Sequence, residues 1–170
     1  MGQLIEAWGD GVCEPRNPGG HAAYGILIKV DGKVVCGRGG YIGFGPKMSN
    51  NVAEYSAAIS VFDEILNRQL QGIVHLRMDS KLVICQLNGK WKVHGGFYVP
   101  YHHNAKHLLS VLKERVQGNV ILEWIPREQN GECDTISKDV LRKHGIRFRI
   151  QPEGKLNAES LREKKDDVPS

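Results

Sequence analysis

No apolar run in the 170 residues approaches the ~18 residues needed to span a bilayer, so a membrane protein is not expected. The start of the chain, Met1-Gly2-Gln3-Leu4-Ile5-Glu6, has no basic segment and meets an acid early, which argues against a signal peptide. A cytoplasmic protein is therefore expected. The four cysteines, Cys13, Cys36, Cys85 and Cys133, include no Cys-x-x-Cys pair. That excludes a zinc ribbon or a dithiol redox motif and leaves reduced, partly buried thiols as the expectation. There is no internal repeat and no low-complexity segment, so a solenoid is excluded. A further absence is local: no Asp or Glu occurs between Ser80 and Lys113.

That acid-free stretch holds Lys81, Lys90, Lys92, Lys106 and Lys113, with His94, His102, His103 and His107 among them. It reads either as the footprint of a polyanionic partner or as a solvated basic face. The net charge of +4 is mild, but it is unevenly spread. From Glu153 onward, four basic residues stand against five acidic ones, so the excess positive charge lies in the body. The hydrophobic fraction of 41% and charged fraction of 25% are those of an ordinary globular domain, and the length suits one such domain.

Leu4 to Gly9 reads as a short strand ending at the turn-rich stretch from Asp10-Gly11 to Gly20. Tyr24 to Val30 and Lys33 to Tyr41 read as strands joined by the hairpin signal Asp31-Gly32. A glycine-rich loop, Gly43-Phe44-Gly45-Pro46, leads to a helix from about Val52. Asn51 is its expected cap, and Tyr55, Ile59, Phe62 and Leu66 form its apolar stripe. Ile73 to Met78 is a compact apolar strand, with a helical stretch opening at Asp79-Ser80. Ala105, Leu108, Leu109, Leu112 and Val116 mark a second amphipathic helix. Val120 to Ile125 is a last core strand, and Ile136, Val140 and Leu141 mark a closing helix ended by Gly145. Three strands followed by alternating strands and helices predict an α/β fold with a mixed sheet. Residues 1–150 form the expected domain and 151–170 a polar, mobile tail.

Four acids fall at the ends of these elements: Asp10 after the first strand, Glu54 in the first turn of the long helix, Asp79 closing the fourth strand, and Asp134 opening the last helix. Open α/β sheets place their sites just beyond strand ends. Carboxylates converging there repel one another unless a cation sits between them, and several hard oxygen donors suit Mg²⁺ or Mn²⁺ rather than zinc. Each acid also has a local explanation. Asn51 and Glu54 have the spacing of a capping box, Asp79 and Asp134 suit helix starts, and Asp10 before Gly11 suits a turn.

The context of these acids resembles the ribonuclease H type 1 family. Asp10-Gly11 with Asn17-Pro18-Gly19 looks like its first motif. Ser49-Asn50-Asn51-Val52-Ala53-Glu54 is similar to its Thr-Asn-Asn-x-x-Glu run. Met78-Asp79-Ser80 resembles its Asp-Ser motif, and Asn130-Gly131-Glu132-Cys133-Asp134 its final Asn-x-x-x-Asp. The resemblance spans residues 3 to 145 in the family's order. It implies a five-stranded mixed sheet, its first three strands antiparallel, flanked by helices. It implies an endonuclease that cuts the RNA strand of RNA–DNA hybrids and leaves 5′-phosphate and 3′-hydroxyl ends. Asp10, Glu54, Asp79 and Asp134 would hold two Mg²⁺ ions, with Mn²⁺ as the alternative.

The same resemblance assigns substrate contacts. Glu54 and the backbone at Gly11 would read the 2′-hydroxyl, Asn50, Asn51 and Lys81 the minor groove, and Lys47 and Ser49 a DNA-strand phosphate, with Asn17 a further substrate contact. Asn130 and the run Lys90-Trp91-Lys92 complete the expected binding set. The chain departs from the family in two places. Pro126-Arg127-Glu128-Gln129-Asn130 lacks the histidine that many members carry, as in archaeal-like variants, and Arg127 is the candidate to replace it. A shortened loop, Gly89 to Tyr101, stands where the long basic protrusion would be. His103 and His107 at i, i+4 spacing, with no acid or thiol beside them, are expected to be exposed residues rather than metal ligands. A monomer with no membrane partner is expected. The competing reading is a non-catalytic nucleic-acid-binding module on the same fold. Against it, acids clustered beside phosphates bring such a module only repulsion.

Overall fold

The computed structural model describes residues 2–149; the expected tail at 151–170 lies outside them. The elements are β1 (Gln3–Glu14), β2 (His21–Val30), β3 (Lys33–Phe44), α1 (Asn50–Asn67), β4 (Gly72–Met78), α2 (Lys81–Leu87), α3 (Val99–Arg115), β5 (Val120–Trp124) and α4 (Gly131–Lys143). A single turn of 3₁₀-helix, Arg127–Gln129, precedes α4. One five-stranded sheet has the order β3-β2-β1-β4-β5. β1, β2 and β3 are antiparallel neighbours, whereas β4 and β5 run parallel to β1. The mixed sheet expected from the sequence is present.

The hairpin signal acts as the sequence predicts. Asp31 and Gly32 both take positive φ, 48° and 83°, as a two-residue turn matched to strand twist requires. β1 differs from its expectation by running on to Glu14. Its pairing with β4 stops at Gly9 opposite Met78, while its pairing with β2 continues to Glu14 opposite His21. A long antiparallel partner carries the strand through Asp10-Gly11, where the sequence suggests a turn. Asp10 therefore lies inside β1, at the first position where the strand has outrun β4.

The long helix also starts differently. Its cap is Ser49, whose hydroxyl accepts from Val52 N at 3.2 Å, and Asn51 lies within the first turn. Glu54 is thus too deep in the helix to close a capping box with its cap, which would need the acid three residues after the cap. α2 is capped in the same way by Ser80 through Val83 N, leaving Asp79 outside the helix. Gly145, with φ of 73°, ends α4 as expected.

α1, α2 and α3 cover one face of the sheet and α4 the other. The main core sits under α1, where Tyr55, Phe62 and Ile65 meet Ile5, Ile26, Ile28 and Leu76. A smaller cluster, Val12, Ala23 and Leu141, lies under α4. Two glycines set how closely the helices approach. A Cβ on Gly11 would sit 2.4 Å from the backbone of Ala53 and Glu54, so only glycine lets the first turns of α1 close onto β1. A Cβ on Gly25 would sit 2.6 Å from the carbonyl of Cys133, so α4 rests directly on β2. All four cysteines are free.

Candidate functional site

Three elements meet where β1 outruns β4. The register of Gly9 with Met78 places Asp10 and Asp79 side by side, one step further along two parallel strands. The close contact at Gly11 brings the Glu54 turn of α1 to the same point. Carboxylate oxygens of Asp10, Glu54 and Asp79 lie within 4.8 Å of one another. Asp10 and Glu54 are each only 5% exposed, whereas Asp79 is half-buried.

Burial raises the Asp10 carboxyl well above the usual carboxylate range. The charges of Asp79 and Asp134 push it further the same way, and a hydrogen bond with Glu54 and the charge of Arg127 pull it back. A divalent cation held by these oxygens would remove that repulsion. The donor set is hard oxygen throughout, as Mg²⁺, Ca²⁺ or Mn²⁺ prefer. Cys133 adds no soft donor. Its thiol is fully buried, and burial, reinforced by Asp10 and the other nearby acids, pushes its pKa up. The triad can therefore bind a divalent metal.

The fourth expected acid, Asp134, stands outside the triad. Lys138 Nζ bonds its Oδ2 at 2.9 Å, and Arg127 lies 3.8 Å from its Oδ1. It is near enough for its charge to act on Asp10. Arg127 itself is exposed, at the rim.

Asn130 is buried beneath the site instead of facing solvent. Its Nδ2 donates to Gly9 O at 2.8 Å and to Asp79 Oδ1 at 2.9 Å, tying the last helix to the first strand and aiming one of the acids. Gly11 is likewise buried. Asn17 Oδ1 accepts from Asn50 N at 2.8 Å, which joins the β1–β2 loop to the start of α1. Ser49, Asn50 and Asn51 are half-buried around that start, and Lys47 is exposed just before it. On the other side of the triad Lys81 is exposed, and the run Lys90-Trp91-Lys92 follows α2 with both lysines exposed and Trp91 half-buried. His103 and His107 are exposed, as expected, and neither belongs to the acidic group.

One residue not foreseen from the sequence is Trp124. Its Nε1 donates to Asp79 O at 3.2 Å, and Lys81 Nζ lies 4.6 Å from the centre of its ring. At 41% exposure the indole forms a cation-bearing shelf beside the acids. Its place at the end of the last strand was readable; its register with Met78, one residue before Asp79, was not.

Residues 9–140 match the reverse transcriptase-like family. A curated relative, the bifunctional protein Rv2228c of Mycobacterium tuberculosis, is 32% identical over 95 residues, which are 56% of this chain and 24% of the relative. The chain thus spans about a quarter of the mycobacterial relatives it matches. Among solved structures, the RNase H1 of the halophilic archaeon Halobacterium salinarum superposes with a TM-score of 0.69 at 28% identity. That match covers 82% of this chain and 98% of the archaeal one. LC11-RNase H1, solved in complex with an RNA/DNA hybrid, gives 0.70 at 26% identity, covering 82% and 98%.

Proposed function

The chain belongs to the reverse transcriptase-like family, and from that premise we propose that it is a ribonuclease H, a divalent-cation-dependent endonuclease acting on the RNA strand of RNA–DNA hybrids. The observation that carries the proposal is the buried triad of Asp10, Glu54 and Asp79 at the point where β1 outruns β4. Packing alone gives no reason to bury two acids there, since burial and the charges of Asp79 and Asp134 raise the Asp10 carboxyl.

Asp10, Glu54 and Asp79, with Asp134 at the rim, would hold two Mg²⁺ ions, or Mn²⁺. When bound, such ions ease loss of a proton from the attacking water and neutralise charge on the departing 3′-oxygen. The chain's own groups supply position. Asn130 fixes the Asp79 carboxylate, and the Gly11 contact fixes Glu54 close to where a 2′-hydroxyl would lie. Reading that hydroxyl is what separates RNA from DNA at each sugar. The Arg127 guanidinium offers only donors and no acceptor atom, so it is not a candidate base. Its contribution is charge: it can steady Asp134 and attract the 5′-phosphate of the product. Lys47, Ser49 and Asn17 would hold the DNA strand, and Lys81 with Trp124 lines the near edge.

The direct test is to incubate labelled RNA–DNA hybrid, double-stranded RNA and double-stranded DNA with Mg²⁺. Cleavage of the RNA strand of the hybrid, yielding 5′-phosphate ends, is expected. Cleavage of DNA with the hybrid left intact would refute the proposal.

A second expectation concerns the acid-free loop. The triad repels phosphates, so other groups must hold the hybrid. With Asp10→Asn as an inactive background, Lys90→Ala plus Lys92→Ala should weaken hybrid binding. Each lost phosphate contact should flatten the slope of log K against log salt by about 0.9, as for duplex DNA. Trp91→Ala should weaken binding with the slope nearly unchanged, because stacking releases few ions. An unchanged slope in the double lysine variant would reduce these residues to a solvated face.

A further inference from the structure

Residues 89–98, which carry Lys90, Trp91 and Lys92, form an irregular loop between α2 and α3 with no ladder of its own. Three backbone bonds hold its first part: Gly89 N donates to Gln86 O at 3.1 Å, and Lys90 N and Trp91 N both donate to Cys85 O, at 2.8 and 3.1 Å. Beyond these, one buried side chain anchors the loop at two points. Gln86 is 2% exposed, and its Nε2 donates to Lys92 O at 3.2 Å and to Tyr98 Oη at 3.1 Å. Tyr98 then donates to His94 O at 3.3 Å. On the other side Gln86 Oε1 accepts from Tyr55 Oη at 2.5 Å, and Tyr55 Oη also lies 3.0 Å from His102 Nδ1.

The direction of every hydrogen in this chain follows from its ends. Backbone carbonyls only accept, so the Gln86 amide nitrogen must face Lys92 and its oxygen must face Tyr55. The single Tyr55 hydrogen is then committed to Gln86, and His102 must donate from Nδ1 to the Tyr55 oxygen. The Tyr55 and Tyr98 rings stack with planes 3° apart, and the His102 ring meets Tyr55 edge-on. Tyr55 is the residue after Glu54. The same helical turn thus supplies an acid to the triad and a hydroxyl to the network behind the loop.

We infer that Gln86 is a positioning residue: one buried amide sets the loop bearing Lys90, Trp91 and Lys92 in register with the acidic triad. Its consequence for catalysis rests on the proposed hybrid hydrolysis, but the loop geometry does not. A buried amide with every hydrogen committed has one arrangement, so the loop is ordered before substrate arrives. A loop already ordered costs less to immobilise on binding.

The decisive variant is Gln86→Met, which keeps the volume of the side chain and removes both donors and the acceptor. KM for the hybrid is expected to rise about tenfold, the scale set by re-ordering side chains on binding. At saturating hybrid kcat should stay within about twofold, because no group at the reacting phosphate changes. Amide exchange at Lys90 and Trp91 should quicken. Tyr98→Phe keeps the Gln86 bond to Lys92 and should raise KM less. An unchanged KM in folded Gln86→Met, or an equal fall in kcat, would show a packing role and overturn the inference. If Gln86→Met does not fold, Tyr98→Phe decides, and an unchanged KM there overturns it. Should the wild-type protein prove unable to bind hybrid, the proposed function fails, while exchange at Lys90 and Trp91 still tests the positioning. Unchanged exchange would overturn that as well.

Discussion

Asp10→Asn is expected to lose hybrid hydrolysis by at least about 10³-fold, some 4 kcal/mol of barrier, while gaining stability in metal-free buffer. The two effects share one cause. Burial and the charges of Asp79 and Asp134 raise the Asp10 carboxyl well above its usual range. An acid with a raised native pKa binds its proton more tightly folded than unfolded. The stability it permits is complete below the unfolded value near 3.9 and is lost as pH rises through the folded value. At neutral pH without metal the wild-type protein has lost that stability. An amide of the same shape carries no charge, can still bond Glu54, and escapes the loss. Thermal melts in EDTA from pH 4 to 8 should therefore show wild type falling more steeply with pH than Asp10→Asn.

Adding Mg²⁺ should raise the wild-type melting temperature by mass action and raise that of Asp10→Asn much less. Asp79→Asn should also lose hydrolysis, since Asp79 shares the triad and is aimed by Asn130. Near-normal turnover in Asp10→Asn would end the metal assignment. Equal Mg²⁺ stabilisation of both proteins would place the ion elsewhere.

Gly11→Ala should act through geometry, with the charge unchanged. An added Cβ would lie 2.4 Å from the backbone carbon of Ala53 and the nitrogen of Glu54, with no flexible side chain able to yield. Either α1 shifts away from β1 or the strand bends. Overpacking of this kind costs about 1–3 kcal/mol, occasionally more, and here backbone meets backbone. A displacement of even ~1 Å moves Glu54 from the triad, and misplacement on that scale can cost about 10²-fold in rate. The variant should unfold at lower denaturant and, where folded, hydrolyse hybrid far more slowly. Measuring both separates the effects: a stability loss with full activity would mean that α1 adjusts without moving Glu54.

The sequence by itself determined a good deal. The turn at Asp31-Gly32, the apolar stripe of α1, the short cores of β4 and β5 and the glycine closing α4 all follow patterns a few residues long. Such patterns are legible because neighbours along the chain set them. The motifs around Asp10, Glu54, Asp79 and Asp134 pointed to a metal-dependent nuclease through residue types and order. Tertiary structure alone decided the rest. It carried β1 past Asp10 to Glu14, because β2 is longer than β4. By moving the cap of α1 to Ser49, it removed the capping-box explanation of Glu54. It drew Asp134 toward Lys138 and out of the triad, and it buried Asn130 against Asp79, 51 residues away. It also gave Trp124 and Gln86 partners that no local pattern announces. These pairings join residues far apart in the chain, and strand register and the closeness of two packed backbones select them. Short-range periodicity carries no information about either.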